Sequence, residues 1–340
     1  MKKLLNTLYV QSQGSYLRQE GETVVVERER AIVARIPIHT LSGIVCFGNV
    51  LCSPFLLGLC GERGVHVSFL TEHGRFLARV EGPVSGNVLL RVAQMKAADD
   101  PRWTRDIAAS CVAGKILNAR TILQRRLRDH GDDEVCSHAV IELAGAVQQL
   151  RKAATTDEVR GVEGSAAARY FEAFNELIVA QREAFAIRNR NRRPPLDPMN
   201  ALLSFLYTLL AHDCVGALES VGLDPQIGFL HALRPGRPSL ALDLMEEFRA
   251  PLADRMALSL VNLQQLGGKN FKTSESGAVE MSEAARKTVL LAWQKKKQET
   301  IVHPFLGDKV EIGLLPHAQA LLLARHLRGD LDAYPPFLLK

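Results

Sequence analysis

Glu81-Gly82-Pro83-Val84-Ser85-Gly86 parts the chain into two textures. Proline lacks a backbone donor and glycine favours turns, so a cluster of this density continues neither a strand ladder nor a helix. Upstream, Leu8-Tyr9-Val10, Thr23-Val24-Val25-Val26, Ala31 to Ile36, Ile44-Val45-Cys46-Phe47 and Val65 to Leu70 are short runs rich in β-branched and aromatic residues, which suit a pleated, half-buried surface. Glu20-Gly21 and His73-Gly74 supply hairpin turns. Ser53-Pro54 pairs an N-cap with a first-turn proline, which predicts one helix from Pro54 to about Glu62 inside this module. Downstream of Gly86 the apolar residues recur with helical period over 87–98, 102–129, 134–153, 165–187, 198–218, 240–265, 281–298 and 315–327. The polar, glycine-flanked stretch 267–277 reads as a mobile loop. The expected fold is α+β with two domains, an N-terminal β-sandwich over 1–85 followed by an all-α domain over 86–340.

Two domains also follow from length, since 340 residues exceed what one hydrophobic core usually organises. A net charge of +5 is mild, so any nucleic-acid role has to rest on local clusters of Arg and Lys. Six cysteines contain no C-x-x-C pair, the apolar run after Met1 is too short for a signal peptide, and no run reaches the length of a membrane helix. The expectation is a reduced, cytoplasmic protein with free thiols.

The chemistry-bearing stretch is Pro238-Ser239-Leu240-Ala241-Leu242-Asp243-Leu244-Met245-Glu246-Glu247-Phe248-Arg249, preceded by His231. Read as a helix with Ser239 as N-cap, it aligns Leu240, Leu244 and Phe248 on one stripe and clusters Asp243, Glu246 and Glu247 at i, i+3 and i+4. Acids on a helix face are usually solvated surface. With a histidine returning over that face and a further carboxylate such as Glu163, the same acids form the N/O donor set that suits Mg²⁺ or Mn²⁺. Pro251 should kink or break this helix one turn beyond the acids.

Basic residues gather in three places. Arg120, Arg125, Arg126 and Arg128 share a helix, and Lys295 to Lys297 end another, where cations complement the dipole without any ligand. Arg188, Arg190, Arg192 and Arg193 crowd a loop before Pro194-Pro195 and would repel one another without an anion, so they read as phosphate contacts. Arg249 is grouped with them. No G-x-G-x-x-G, Walker, G-x-S-x-G or H-E-x-x-H pattern occurs, which leaves nucleotide-fuelled and serine-nucleophile chemistry unsupported.

Four segments carry a family resemblance: Arg160-Gly161-Val162-Glu163-Gly164 before an Ala-rich helix; Arg192-Arg193-Pro194-Pro195-Leu196-Asp197-Pro198-Met199-Asn200; Gly228-Phe229-Leu230-His231; and Leu240 to Arg249. In order and spacing the chain resembles, over its full length, the CRISPR-associated adaptation endonucleases, the integrases called CRISPR-associated protein one. The tail from Leu314-Leu315-Pro316 to Leu331 resembles the type I-C branch. The resemblance implies a β-sandwich that dimerises and a helical catalytic domain. It also implies a sequence-nonspecific, metal-dependent DNA endonuclease that inserts spacers into the CRISPR array together with CRISPR-associated protein two. By family pattern Glu163, His231 and Glu246 are the ligands of Mg²⁺ or Mn²⁺, Asp243 is the other catalytic acid, and the position of Glu246 is Asp in some members. From the residues alone, two readings compete: a non-catalytic helical nucleic-acid-binding scaffold, and a metal hydrolase of small phosphate esters.

Overall fold

The computed structural model describes residues 6–72, 74, 76–80, 82, 88–191 and 194–339. Apart from Gly82, the boundary cluster 81–86 lies outside the described residues, as do His73, Arg192 and Arg193. Backbone packing divides the chain into two compact units. One comprises Met1–Ser85, Arg286–Thr300 and Glu311–Leu314, and the other Gly86–Ala285, Ile301–Val310 and Leu315–Lys340.

The first unit is β-rich. Strands β1 (Asn6–Val10), β2 (Ser15–Glu20), β3 (Thr23–Arg28), β4 (Ala31–Pro37), β5 (Leu41–Phe47), β6 (Val50–Cys52), β7 (His66–Leu70) and β8 (Phe76–Val80) make two four-stranded sheets, ordered β1-β5-β7-β8 and β4-β3-β2-β6. Pairings β1–β5, β5–β7 and β2–β6 are parallel, the others antiparallel. Ile44, Cys46 and Val67 from the first sheet and Leu17, Val24 and Val26 from the second join one apolar core. Helix α1 (Pro54–Arg63) closes it with Leu56, Leu59 and Cys60; Ser53 caps it through the Leu56 N–H at 3.2 Å, and Gly64 ends it at φ +65°.

The rest is mostly helical: α2 (Val88–Asp99), α3 (Pro101–His130), α4 (Glu134–Lys152), α5 (Thr156–Ala173), α6 (Arg182–Phe185), α7 (Pro198–Val221), α8 (Ser239–Phe248), α9 (Arg255–Asn262), α10 (Glu283–Gln298) and α11 (Leu315–Leu327). It is not all-α. Strands β9 (Phe271–Thr273) and β10 (Val279–Met281) form one short ribbon, β11 (Thr300–Val302) and β12 (Lys309–Glu311) another. The stretch read as a mobile loop is thus an ordered hairpin, anchored by Phe271 edge-on to Phe185 at 5.5 Å. From Arg286 onward α10 belongs with the β-rich unit, where Arg286 pairs with Glu72 at 3.2 Å. Helix α7 is apolar enough in composition to cross a bilayer, but 61% of that window is buried, as in a core helix.

Two helix boundaries differ from expectation for readable reasons. Helix α5 starts at Thr156 rather than about 165, because Thr155 accepts from the Glu158 N–H at 3.2 Å while Glu158 accepts from the Ala154 N–H at 2.7 Å. The helix at the acids begins at Ser239, with Pro238 as the cap residue and the Ser239 hydroxyl donating to the Ala232 carbonyl at 3.1 Å. Pro251 neither breaks nor sharply ends this helix. The chain widens into a π-turn, Arg249–Asp254, and resumes as α9.

Candidate metal centre

Three separate elements bring Glu163, His231 and Glu246 together. Glu163 projects from the middle of α5, not from a loop before it; Glu246 projects from α8; and His231 lies on the connection after α7. That connection runs tight against α8. A Cβ on Gly228 would meet the Ser239 carbonyl carbon at 2.7 Å and Asp243 Oδ2 at 2.8 Å, so only glycine permits the approach. Arg160 of α5 ties the same connection down by donating to the Leu230 carbonyl at 2.6 Å while pairing with Asp157.

Asp243 is fully buried and saturated. Its Oδ2 accepts from the Phe229 and Leu230 N–H groups at 2.6 and 2.9 Å; Oδ1 accepts from the His231 N–H at 2.9 Å and meets His231 Nδ1 at 2.6 Å. An ionised carboxylate only accepts, so Nδ1 carries a ring proton, and Nε2 stands 4.0 Å from Glu246 Oε1. This carboxylate–imidazole pairing fixes the tautomer a metal-binding histidine needs.

Glu246 is 3% exposed, and its oxygens are divided. Oε1 lies 3.0 Å from Arg249 Nη2, and Oε2 lies 2.8 Å from Lys115 Nζ yet accepts no well-angled hydrogen bond. Burial pushes the Glu246 carboxyl upward, but Arg249, Lys115 and His231 outweigh it and hold it at about 2. Lys115, from the middle of α3, also pairs with Glu163 Oε1. Two carboxylates thus share one cationic point, and the imidazole stands beside the other oxygen of Glu246. Among the described residues no three His, Cys, Asp or Glu side chains close to ligation distance. The donor set, two carboxylates and an imidazole around a buried oxygen without a well-angled donor, fits a hard divalent cation.

The three acids of α8 do not converge as the helical spacing suggested. Asp243 serves His231 and Glu246 faces Lys115, whereas Glu247 points to the opposite side of the helix. There it accepts from Tyr334 Oη at 2.5 Å, Gln319 Nε2 at 2.9 Å and the Phe337 N–H at 2.7 Å. Burial pushes its carboxyl up to about 7 against these hydrogen bonds, since no cation compensates it.

The arginines separate as well. Arg188 is exposed. Arg190 turns inward, bonding Asn200 and lying over the rings of Tyr207 and Phe171 at 5.3 and 5.9 Å. Arg249 is half-buried, lying over Tyr207 at 4.6 Å and paired with Glu246, so its guanidinium is turned into the site rather than out to the surface. Nearby Asp254, pushed up to about 6 by burial, accepts from Tyr207 and Tyr170 at 2.7 and 3.0 Å. The sequence reading missed Lys115, a lone lysine in a long helix. It also missed the tail residues that grip Glu247.

Residues 8–295 match the family model described as CRISPR associated protein Cas1. The chain is 56% identical over 340 residues to CRISPR-associated endonuclease Cas1 1 of Chlorobaculum tepidum, covering 99% of both. It is 53% identical over 348 residues to CRISPR-associated endonuclease Cas1 2 of Rhodospirillum rubrum, covering 100% of both. Among solved structures it resembles a CAS1 protein from Thermotoga maritima, with TM-score 0.82, 23% identity and coverage of 95% of this chain and 97% of that one. It also resembles a casposase bound to its integration product, with TM-score 0.83, 22% identity and coverage of 97% and 93%. At these identities the structures speak for the fold.

Proposed function

The chain belongs to the CRISPR-associated Cas1 family, and from that membership we propose that it is a metal-dependent DNA endonuclease and integrase that inserts foreign fragments into a CRISPR array. The observation that carries this reading is the convergence of Glu163 and Glu246, from two helices, on the ammonium of Lys115, with His231 from a third element beside Glu246. These three residues would hold Mg²⁺ or Mn²⁺. When bound, the cation supplies Lewis-acid polarisation of a phosphoryl oxygen and favours a deprotonated hydroxyl.

The chain's own residues do the remaining work. Asp243 keeps the imidazole in its Nδ1–H form and sets its angle. Arg249 holds Glu246 ionised and fixes which oxygen faces the site. Tyr170 and Tyr207 lock Asp254 beneath Arg249, so the helix wall cannot relax away. A 3′-hydroxyl of a captured fragment attacks a repeat phosphodiester in line, the departing 3′-oxygen takes the proton, and no covalent enzyme intermediate is needed. Positioning and charge carry such a reaction, in keeping with a site built of rigid helices.

DNA would follow the exposed Arg188 with Arg192 and Arg193. The two sheets of residues 1–85 are assigned as a β-sandwich that joins two protomers, and 86–340 as the catalytic part. The small protein CRISPR-associated protein two is the assigned partner in the cytoplasm, and the tail likeness supports the type I-C branch. The printed names of the relatives support the nuclease reading, and a Cas6-RT-Cas1–Cas2 complex of the same fold supports the partner. The test is strand transfer of a labelled duplex into repeat DNA by the purified protein with that partner. Mn²⁺-dependent product that vanishes in chelator supports the reading, and metal-independent binding without any product overturns it.

A further inference from the structure

Lys115 occupies an unusual position for a lysine. Its side chain is 16% exposed, and its ammonium is shared between Glu163 and Glu246. Two carboxylates this close cannot both stay ionised when buried unless a cation stands with them. Arg249 also neutralises Glu246, but its planar head is pinned over Tyr207 and pairs with the other oxygen. Lysine differs in kind: a compact charge on a flexible four-carbon stem that can withdraw without unpacking a ring. The Glu246 oxygen facing it accepts no well-angled hydrogen bond, so the contact is one of charge rather than of direction.

We propose that Lys115 is the displaceable counter-cation of the metal centre. It holds Glu163 and Glu246 together while no metal is bound, and it yields them to a divalent cation. The freed ammonium then pairs with the phosphate brought to the site. This rests on the reading of Glu163, His231 and Glu246 as ligands. No bond is made or broken; one cation replaces another, and the ammonium moves from carboxylate to phosphate.

The signature is a pair of opposite effects. Removing the ammonium relieves competition and repulsion at the ligands, so metal should bind more tightly, while the phosphate loses a charge and turnover falls. A lysine that only props the fold would lower both together. The test uses the full-length wild type, Lys115→Met, Lys115→Gln, and the double variant Lys115→Met with Glu163→Gln, in the absence of DNA for binding. Mn²⁺ affinity is read by titration calorimetry and by the loss of the free-ion electron paramagnetic resonance signal. Thermal unfolding is followed in chelator, and single-turnover cleavage at saturating Mn²⁺.

The expected result is Mn²⁺ binding tighter by about tenfold in both single variants, with a cleavage rate lower by about tenfold or more despite the tighter metal. In chelator Lys115→Met melts below wild type, and the double variant, with one carboxylate neutralised, recovers. Mn²⁺ affinity equal to or weaker than wild type in both single variants overturns the inference while leaving the ligands standing. A wild type that binds no Mn²⁺, or that binds it equally well after Glu163→Gln and His231→Ala, overturns the ligand assignment and this inference with it.

Discussion

Replacing Asp243 by alanine isolates what a buried carboxylate does when all its lone pairs are already taken. Three backbone N–H groups, of Phe229, Leu230 and His231, and the His231 ring lose their acceptor at once. At roughly 1 kcal/mol for each unsatisfied buried donor, the variant should lose about 3–4 kcal/mol of stability. That is a large part of an ordinary folding margin of about 5–15 kcal/mol, but not all of it. The imidazole remains, now free to rotate and to exchange tautomers, and loss of such an orienting partner weakens metal affinity about 10- to 100-fold. Cleavage rates of Asp243→Ala plotted against Mn²⁺ concentration should therefore shift by that factor and approach the wild-type plateau, with urea unfolding reporting the stability loss in parallel. Glu246→Ala should stay inactive at every concentration. An Asp243→Ala enzyme that remains dead at saturating Mn²⁺ would make Asp243 a direct ligand and refute the reasoning. Unchanged activity at low Mn²⁺ would reduce it to a partner of the helix dipole, contributing less than about 1 kcal/mol, and refute it from the other side.

Glu163→Gln, His231→Ala and Glu246→Gln should each abolish Mn²⁺-dependent strand transfer with the helical circular-dichroism signal intact; near-normal activity in any two sinks the ligand set. Replacing Arg188, Arg192 and Arg193 together should weaken binding to unrelated duplexes alike and lower the slope of log affinity against log salt by about 0.9 per lost contact. An unchanged slope over a salt series would show that the cluster faces something other than DNA. Glu247 supplies a pH test. Its folded pKa, about 7, lies above the ordinary 4.5, so the folded state holds a proton that the unfolded state releases between those values. Stability should fall as pH rises through that window, by on the order of 3 kcal/mol from this group, and Glu247→Gln should flatten that fall. Parallel urea midpoints for wild type and variant at pH 5 and pH 8 would remove Glu247 as the cause.

The helical stripe of Leu240, Leu244 and Phe248, the capped start at Pro54, and the return of His231 over α8 were all legible, because each is written in local spacing. The place of Glu163 inside its helix is masked in the sequence by the glycines at 161 and 164, although Thr155 and Glu158 spell the capping pair that starts the helix. The opposite facing of Glu246 and Glu247 could not be read, since a helical wheel gives angles and not what waits at each angle. Here Lys115 came from 131 positions upstream of Glu246 and Phe337 from 90 positions downstream of Glu247. The inward turn of Arg190 and Arg249 depended likewise on Tyr207, an aromatic face that no charge pattern announces. The grouping of α10 with the β-rich unit was set by packing alone.

The π-turn at Pro251 has a consequence in heptad arithmetic. Seven residues make about two turns of an α-helix, so in an unbroken helix Asp254 would return to the face of Glu247, toward Tyr334 and Phe337. The wider turn over Arg249–Asp254 absorbs roughly one extra residue. Asp254 is thereby phased with Glu246, on the side where Tyr170, Tyr207 and Arg249 meet it. Closing this turn into a regular helix with no residue removed would swing the carboxylate to the wrong wall, whereas removing the one extra residue along with the widening would keep it in phase with Glu246. At this point the width of the backbone turn is itself part of the site.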